Sequence, residues 1–279
     1  MVGAIIGDVI GSRHEFNNIK TKDFQLFTKE CSFTDDTVMT CAVAEALMYS
    51  LDRDGNFDRL SERTIEVMRA VGQLYPYCGY GGRFFRWMFY ENPKPYNSYG
   101  NGAAMRVSPV AYVAQDEKEL KELAYKVTAI THNHPEGLKG AEATALAVYH
   151  SLWGMSKDRL KEDVLSKYYV PEHTVDGYRA IIRGHGEETC QVSMPEALQC
   201  FYDGGSYEDV IRNCVSIGGD SDTLGAIAGA MAAAYYGIPE DTVKEGLSYL
   251  DSGLFDIVCR FDEFIKKKYG GTIIGTTLG

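Results

Sequence analysis

Residues 218–236 read GGDSDTLGAIAGAMAAAYY, a short acidic turn followed by an almost unbroken apolar segment. Small and apolar side chains cover every side of a helix at 224–236, which is typical of a helix buried in a protein core. Gly225 and Gly229 lie one turn apart, so a neighbouring helix can approach closely. The segment is too short to cross a membrane, which takes about 20 apolar residues. We therefore predict a helix at the centre of the fold.

Helical periodicity continues along most of the chain. Residues 37–51 and 138–153 are predicted to form two more buried helices, and 117–130 an amphipathic helix with a Lys/Glu outer face. Further helices are predicted near 60–74, 174–183, 193–202, 206–216, 239–250 and 254–268. One weak strand candidate lies at 272–277, and no linker is found. The pattern predicts an all-α fold and a single domain over 1–279.

Charge and cysteine content exclude several classes of protein. The 279 residues carry 28 Lys and Arg against 39 Asp and Glu, a net charge of −11, and no long basic run. We therefore expect no direct binding to nucleic acid or to an anionic membrane surface. The seven cysteines include no Cys-x-x-Cys, which argues against a disulfide framework and a thiolate zinc site. The start of the chain shows no signal peptide, so we expect a cytoplasmic protein.

Two short acidic turns resemble each other. Residues 33–37 (FTDDT) lead into the apolar helix at 37–51, and residues 218–223 (GGDSDT) lead into the one at 224–236. Helix capping requires one acceptor at each helix start, whereas each of these two turns carries two carboxylates. If the two helix starts converge, four carboxylates crowd together and need compensating charge. Two hard divalent cations would supply it, because carboxylates and hydroxyls are the ligands that Mg²⁺ and Mn²⁺ prefer.

Five motifs in this order resemble the ADP-ribosylglycohydrolase family. Each motif alone is a weak signal, whereas all five together in a helical chain of this length are a strong one. They are GAIIGDVIG at 3–11 with Glu15 after it, FTDDT at 33–37, GNGAAMR at 100–106, Thr131-His132 before the helix near Gly140, and GGDSDT at 218–223.

The resemblance implies a compact, single-domain orthogonal helical bundle with a di-metal cleft. It implies two Mg²⁺ ions, with Mn²⁺ as an alternative. The implied ligands are Thr34, Asp35, Asp36, Asp220, Asp222 and Thr223. It assigns Glu15 to a segment that gates the metals, with a solvated surface Glu as the alternative. Asp35, Asp36 and Glu15 are the expected catalytic residues.

The resemblance also implies a substrate pocket. Gly100, Asn101, Gly102 and Ala103 are expected near the substrate diphosphate, since a glycine-rich turn exposes backbone N–H groups to anions. His132 is expected to stack on the adenosine part. For the glycine-rich turn, the alternative is a plain glycine-containing loop. For His132, the alternative is a structural histidine, because a zinc site would need a third ligand that the sequence does not offer at a suitable spacing.

Several other residues favour structural interpretations. We expect Asp8 to fix a turn after Gly7 rather than to bind metal, Arg106 to pair with an acid, and His134 to cap a helix. The aromatic segment 80–87 favours core packing over a wall of the nucleotide pocket.

The expected function is Mg²⁺-dependent removal of ADP-ribose from an ADP-ribosylated protein, at arginine or serine, by attack of an activated water on C1″. The partners are the modified protein and the released ADP-ribose. One alternative is a non-catalytic ADP-ribose-binding or crystallin-like structural protein; the acids expected to bind metal are all present, which argues against it. Another is a metal-dependent hydrolase of a phosphoester, which phosphate release would identify.

Overall fold

The computed structural model describes residues 1–182 and 188–270. Within these ranges the protein is built from helices without a β-strand, and one isolated bridge joins Gly100 to Thr189. The predicted all-α class is therefore confirmed. The strand candidate at 272–277 lies outside the described residues. In the part of the chain that is described, no helix is long and apolar enough to cross a membrane.

Fourteen α-helices are described, most of them in the positions that the periodicity predicts. In chain order they are α1 (Val2–Ser12), α2 (Asp35–Asp54), α3 (Leu60–Gly72), α4 (Gly82–Phe89), α5 (Gly102–Met105), α6 (Glu117–Thr128), α7 (Pro135–Leu152), α8 (Lys157–Arg159), α9 (Val175–Ala180), α10 (Cys190–Asp203), α11 (Tyr207–Ile217), α12 (Ser221–Tyr236), α13 (Glu240–Leu247) and α14 (Ser252–Tyr269). Shorter 3₁₀ and π segments lie at Ser108–Tyr112, Leu160–Val164 and Leu165–Lys167.

The first residues of the chain correct the sequence analysis. The expected turn after Gly7 does not exist, because Val2–Ser12 is one continuous helix, α1. Three glycines at four-residue spacing made this segment resemble a loop, since glycine weakens an isolated helix by about 1 kcal/mol. Tertiary packing overrides that preference, because ten of the eleven residues of α1 are buried.

The same glycines explain why α1 is helical. A Cβ atom added at Gly3 would lie 2.3 Å from the carbonyl oxygen of Gly229, and one added at Gly7 would lie 2.0 Å from that of Gly225. Only glycine allows two helix backbones to approach this closely. The predicted role of Gly225 and Gly229 as a helix contact is confirmed.

This packing makes α1 and α12 antiparallel. Gly3 faces Gly229 and Ala233 in the second half of α12, whereas a Cβ at Gly11 would lie 2.3 Å from the carbonyl oxygen of Ser221, the first residue of α12. The end of α1 therefore lies beside the acidic turn that precedes α12.

Candidate active site

Asp8 joins α1 to the start of α2. Its buried carboxylate accepts hydrogen bonds from the backbone N–H groups of Thr34 and Thr37, each at 3.0 Å, and from Thr34 Oγ1 at 2.8 Å. The hydroxyl of Thr37 donates a further short bond to the same carboxylate. Asp8 therefore fixes the first acidic turn. The sequence offered one indication of this role, because Asp8 interrupts an otherwise apolar segment. An acid buried among apolar residues needs several hydrogen-bond donors.

The two acidic turns converge. Thr223 Oγ1, in the first turn of α12, donates to Asp36 Oδ2, in the first turn of α2, at 3.1 Å. Thr34 Oγ1, whose hydrogen goes to Asp8, lies 3.4 Å from the same Asp36 Oδ2, while Asp36 Oδ1 is buried without a hydrogen-bond partner. These contacts bring together residues that are 187 positions apart in the chain.

Capping does not account for the acids of the two turns. At α2 the capping side chain is Thr34, whose Oγ1 accepts from the backbone N–H of Asp36 at 3.3 Å. At α12 the N-cap residue is Asp220, and its side chain makes no capping bond. Asp222 Oδ1 accepts the Thr223 backbone N–H at 2.9 Å, but capping does not require the other carboxylates of the two turns.

Three carboxylates form a compact cluster at this junction. One oxygen from each of Glu15, Asp220 and Asp222 lies within 4.8 Å of the other two. Glu15 lies three residues beyond the end of α1, so the antiparallel packing of α1 and α12 brings it to the second acidic turn. Oxygen ligands at this separation suit a hard divalent cation.

Asn18, which the sequence analysis did not identify, connects Glu15 to the second turn. Its side-chain nitrogen donates to the Glu15 carbonyl oxygen at 2.7 Å, and its Oδ1 accepts from the Gly219 N–H at 2.6 Å. Gly218 and Gly219 have φ of +70° and +84°, a conformation that other residues rarely adopt. The turn that carries Asp220 is thus shaped by two glycines and held by one asparagine.

Asn101 lies closer to the acids than expected for a residue that only contacts substrate. Its side-chain nitrogen donates to Asp220 Oδ2 at 2.6 Å and to Ser193 Oγ at 2.9 Å. Asn101 therefore orients a carboxylate of the cluster, and it connects the 100–103 loop to the acidic turns. Nothing in the sequence predicted that Ser193 would contact Asn101.

Burial and repulsion by neighbouring carboxylates make four acids hold protons more tightly than usual, namely Glu15, Asp35, Asp36 and Asp222. Burial, followed by the charge of Asp220, raises the pKa of Glu15 to about 7. Burial and neighbouring carboxylates raise the pKa of Asp35 to about 8 and shift the pKa values of Asp36 and Asp222 well above the ordinary range. No ion pair between described residues includes Asp220 or any of these four acids. A cation would therefore relieve an unbalanced charge.

The donor set fits a hard divalent metal. Glu15 and the acids and threonines of the two turns offer carboxylate and hydroxyl oxygens, and the buried Asp36 Oδ1 lacks a partner. Such oxygens favour Mg²⁺ or Mn²⁺ over zinc or copper.

His132 and the glycine-rich loop lie together beside the acids. A Cβ at Gly100 or Gly102 would lie 3.6 or 3.4 Å from His132 Nε2. Gly102 begins α5, and Ala103 is fully buried within it.

Three structural expectations have clear outcomes. His134 caps α7 as predicted, accepting from the Glu136 N–H at 3.1 Å. Arg106 does not pair with an acid among the described residues, so that expectation is wrong; it donates instead to Thr131 Oγ1 at 2.7 Å. In the aromatic segment Phe84 and Trp87 are buried and stack on each other, so the core packing expected for these two rings is confirmed. The same expectation is wrong for Phe85, whose side chain is exposed.

Comparison with known proteins identifies relatives in sequence and in fold. The sequence profile described as ADP-ribosylglycohydrolase matches residues 1–267. A Mus musculus protein named ADP-ribosylhydrolase ARH3 is 26% identical, with 86% of this chain and 83% of that protein covered. The ADP-ribosyl-[dinitrogen reductase] glycohydrolase of Rhodospirillum rubrum is 27% identical, with 90% and 88% covered. A solved structure titled ADP-ribosylglycohydrolase-related protein complex shares the fold, with a TM-score of 0.64 at 23% identity over 92% of this chain and 94% of that one.

The chain therefore belongs to the ADP-ribosylglycohydrolase family. This membership confirms the resemblance seen in the five motifs and makes the protein a hydrolase of glycosidic bonds.

Proposed function

We propose that the protein hydrolyses the bond between the C1″ atom of an ADP-ribosyl group and an acceptor side chain, which is an arginine or a serine of a modified protein. The observation that carries this proposal is the convergence of the two acidic turns through the Asp36–Thr223 hydrogen bond. The names of the relatives from mouse and Rhodospirillum rubrum support the choice of ADP-ribose as the released group.

The proposed cofactor is a pair of Mg²⁺ ions, for which Mn²⁺ can substitute. The proposed ligands are Thr34, Asp35, Asp36, Asp220, Asp222 and Thr223. Two divalent cations balance the four carboxylates of this set, which explains how acids with raised pKa values are ionised in the working enzyme. Bound ions of this kind lower the pKa of a coordinated water and hold substrate hydroxyls.

The carboxylates have different proposed tasks. Asp36 is buried and bonded to Thr223, which suits a fixed ligand, whereas Asp35 is only partly buried and suits the group that orients or deprotonates the attacking water. Glu15, with a pKa of about 7, can hold or release a proton near neutral pH, beside Asp220 and Asp222. Carboxylates at this distance also stabilise the positive charge that develops on the ribose in the transition state.

The proposed pocket for the remainder of the substrate is the loop Gly100–Ala103 with His132. The loop is connected to the acids by the Asn101–Asp220 hydrogen bond, so a nucleotide bound there lies next to the proposed reacting centre. We further propose that 1–279 forms one domain of this family. The seven cysteines are free thiols, which fits the reducing cytoplasm.

The test is direct. The protein is incubated with ADP-ribosylated arginine and serine peptides in Mg²⁺ or in EDTA, and released ADP-ribose is measured. We expect release from at least one linkage in Mg²⁺ only, abolished in Asp36→Asn and retained in the exposed control Asp23→Asn. Tight ADP-ribose binding without release supports a binding protein instead, and release of phosphate supports a phosphoester hydrolase. Either result overturns the proposal.

A further inference from the structure

Arg106 is a buried cation whose partners are unusual. Its side chain is almost completely buried, 1% exposed, and its guanidinium lies 5.5 Å from the centre of the Phe84 ring. Its Nη2 donates to Thr131 Oγ1 at 2.7 Å and contacts His132 Nδ1 at 3.3 Å. The protein thus keeps a buried guanidinium in contact with a histidine, although two neighbouring cations are unfavourable.

These contacts determine where the proton of His132 lies. A guanidinium can only donate hydrogen bonds, so His132 Nδ1 must be the acceptor in its contact with Arg106. Thr131 Oγ1, which already accepts from Arg106, lies 2.7 Å from the same Nδ1 and donates its own hydrogen there. With Nδ1 accepting from both neighbours, the neutral ring must carry its proton on Nε2.

The protonated nitrogen faces the glycine-rich loop. A Cβ atom added at Gly102 would lie 3.4 Å from Nε2, and one added at Gly100 would lie 3.6 Å from it. His132 is 5% exposed, and its Nε2 makes no hydrogen bond with the described residues. This nitrogen is not fully enclosed, so its N–H group can donate to an oxygen of a bound ligand.

Electrostatics favour the same state. Burial, followed by the charges of Arg106 and Arg83, lowers the pKa of His132 well below its ordinary value. The ring is therefore neutral at neutral pH.

We propose that Arg106 is a positioning residue that holds His132 as the Nε2-protonated tautomer, so that His132 donates a hydrogen bond to an oxygen of the bound ADP-ribosyl group. The inference rests on the proposed function for the identity of the ligand. The tautomer itself does not depend on catalysis, so the two are tested separately.

The tautomer is measured by ¹⁵N NMR correlation of the imidazole nitrogens, with the His132 signals assigned by their loss in His132→Asn. In the wild type we expect Nδ1 to show the shift of an unprotonated nitrogen and Nε2 that of a protonated one. Addition of ADP-ribose should shift the Nε2–H signal and leave Nδ1 unprotonated. A protonated Nδ1, or an Nε2 signal that saturating ADP-ribose leaves unmoved, overturns the inference even if the enzyme is active.

Variants then test Arg106. Arg106→Met removes every donor of this side chain, so it should give a mixture of tautomers and weaken ADP-ribose binding roughly two- to tenfold, the effect of one hydrogen bond. Arg106→Lys keeps a donor and should restore the wild-type tautomer. The matched control is Arg83→Gln, which removes a cation near His132 but no hydrogen bond to its ring. The inference is wrong if Arg106→Met keeps the wild-type tautomer, or if Arg83→Gln changes it equally.

Should the Arg106 variants fail to fold, the wild-type spectra with and without ADP-ribose still decide the state of His132. Thr131→Val then tests the network, because it removes the hydroxyl donor at nearly constant volume. We expect it to broaden or shift the Nδ1 signal, and an unchanged Nδ1 signal contradicts the proposed network.

Discussion

The contact between α1 and α12 predicts a large effect from a single added methyl group. In Gly7→Ala the new Cβ would lie 2.0 Å from the Gly225 carbonyl oxygen and 2.4 Å from its carbon, both backbone atoms that cannot rotate away. The two helices must therefore separate. Because Asp8 follows directly in α1, the separation also disturbs the bonds that fix the start of α2.

The magnitude follows from two opposing effects. Overpacking a core costs about 1–3 kcal/mol and sometimes more, and a clash with backbone belongs at the upper end. Replacing glycine by alanine in a helix returns up to about 1 kcal/mol. We expect Gly7→Ala to lower the free energy of unfolding by about 2–3 kcal/mol. At roughly 2–4 °C per kcal/mol, the midpoint of thermal unfolding falls by about 4–12 °C.

Gly82→Ala is the matched control. Gly82 lies in a helix, α4, but a Cβ there would meet no atom within 4 Å. This variant should leave the free energy of unfolding unchanged or raise it by up to about 1 kcal/mol. Both variants are compared with the wild type by urea denaturation and by thermal unfolding. If Gly7→Ala unfolds at the same midpoint as Gly82→Ala, the close packing of α1 on α12 is refuted.

Three further predictions concern the acids. The pKa values of Glu15 and Asp35 are raised to about 7 and 8, so the cation-free protein should lose stability as pH rises from about 4, where these groups ionise in the unfolded chain, to 7–8, where they ionise in the fold; thermal unfolding with EDTA measures this, and Mg²⁺ should protect more at pH 8.5 than at pH 5.5. Asn101→Ala removes the donor to Asp220 and should weaken Mn²⁺ binding about 10–100-fold in equilibrium titrations; an unchanged affinity argues against its orienting role. Asp8→Asn places an amide N–H against N–H and O–H donors, so urea denaturation should show a loss of about 1–3 kcal/mol; a variant as stable as the wild type contradicts this arrangement.

The sequence predicted those parts of the fold that local pattern determines. The helices at 37–51 and 224–236 were identifiable because nearly every residue in them is apolar. Helix α1 was missed because its glycines reduce local helix propensity and are explained only by the facing glycines of α12, more than 200 residues away. Local sequence carries no information about such a partner.

The candidate site was also only partly predictable from the sequence. The residue types of Asp35, Asp36, Asp220 and Asp222 suggested cation binding, but their convergence depends on how α1 places both turns. The roles of Asn18 and Ser193 are set only by tertiary contacts, since each is a common surface residue type without a motif.

The central claim is that two distant acidic turns share divalent cations. Equilibrium binding of Mn²⁺, with free ion counted by electron paramagnetic resonance, tests it most directly in the wild type, Asp36→Asn, Asp222→Asn and the exposed control Asp23→Asn. The account predicts two ions for each wild-type and control chain, and loss of at least one ion in each of the other two variants, one from either turn. Absence of binding in the wild type, or wild-type binding in both Asp36→Asn and Asp222→Asn, would contradict it.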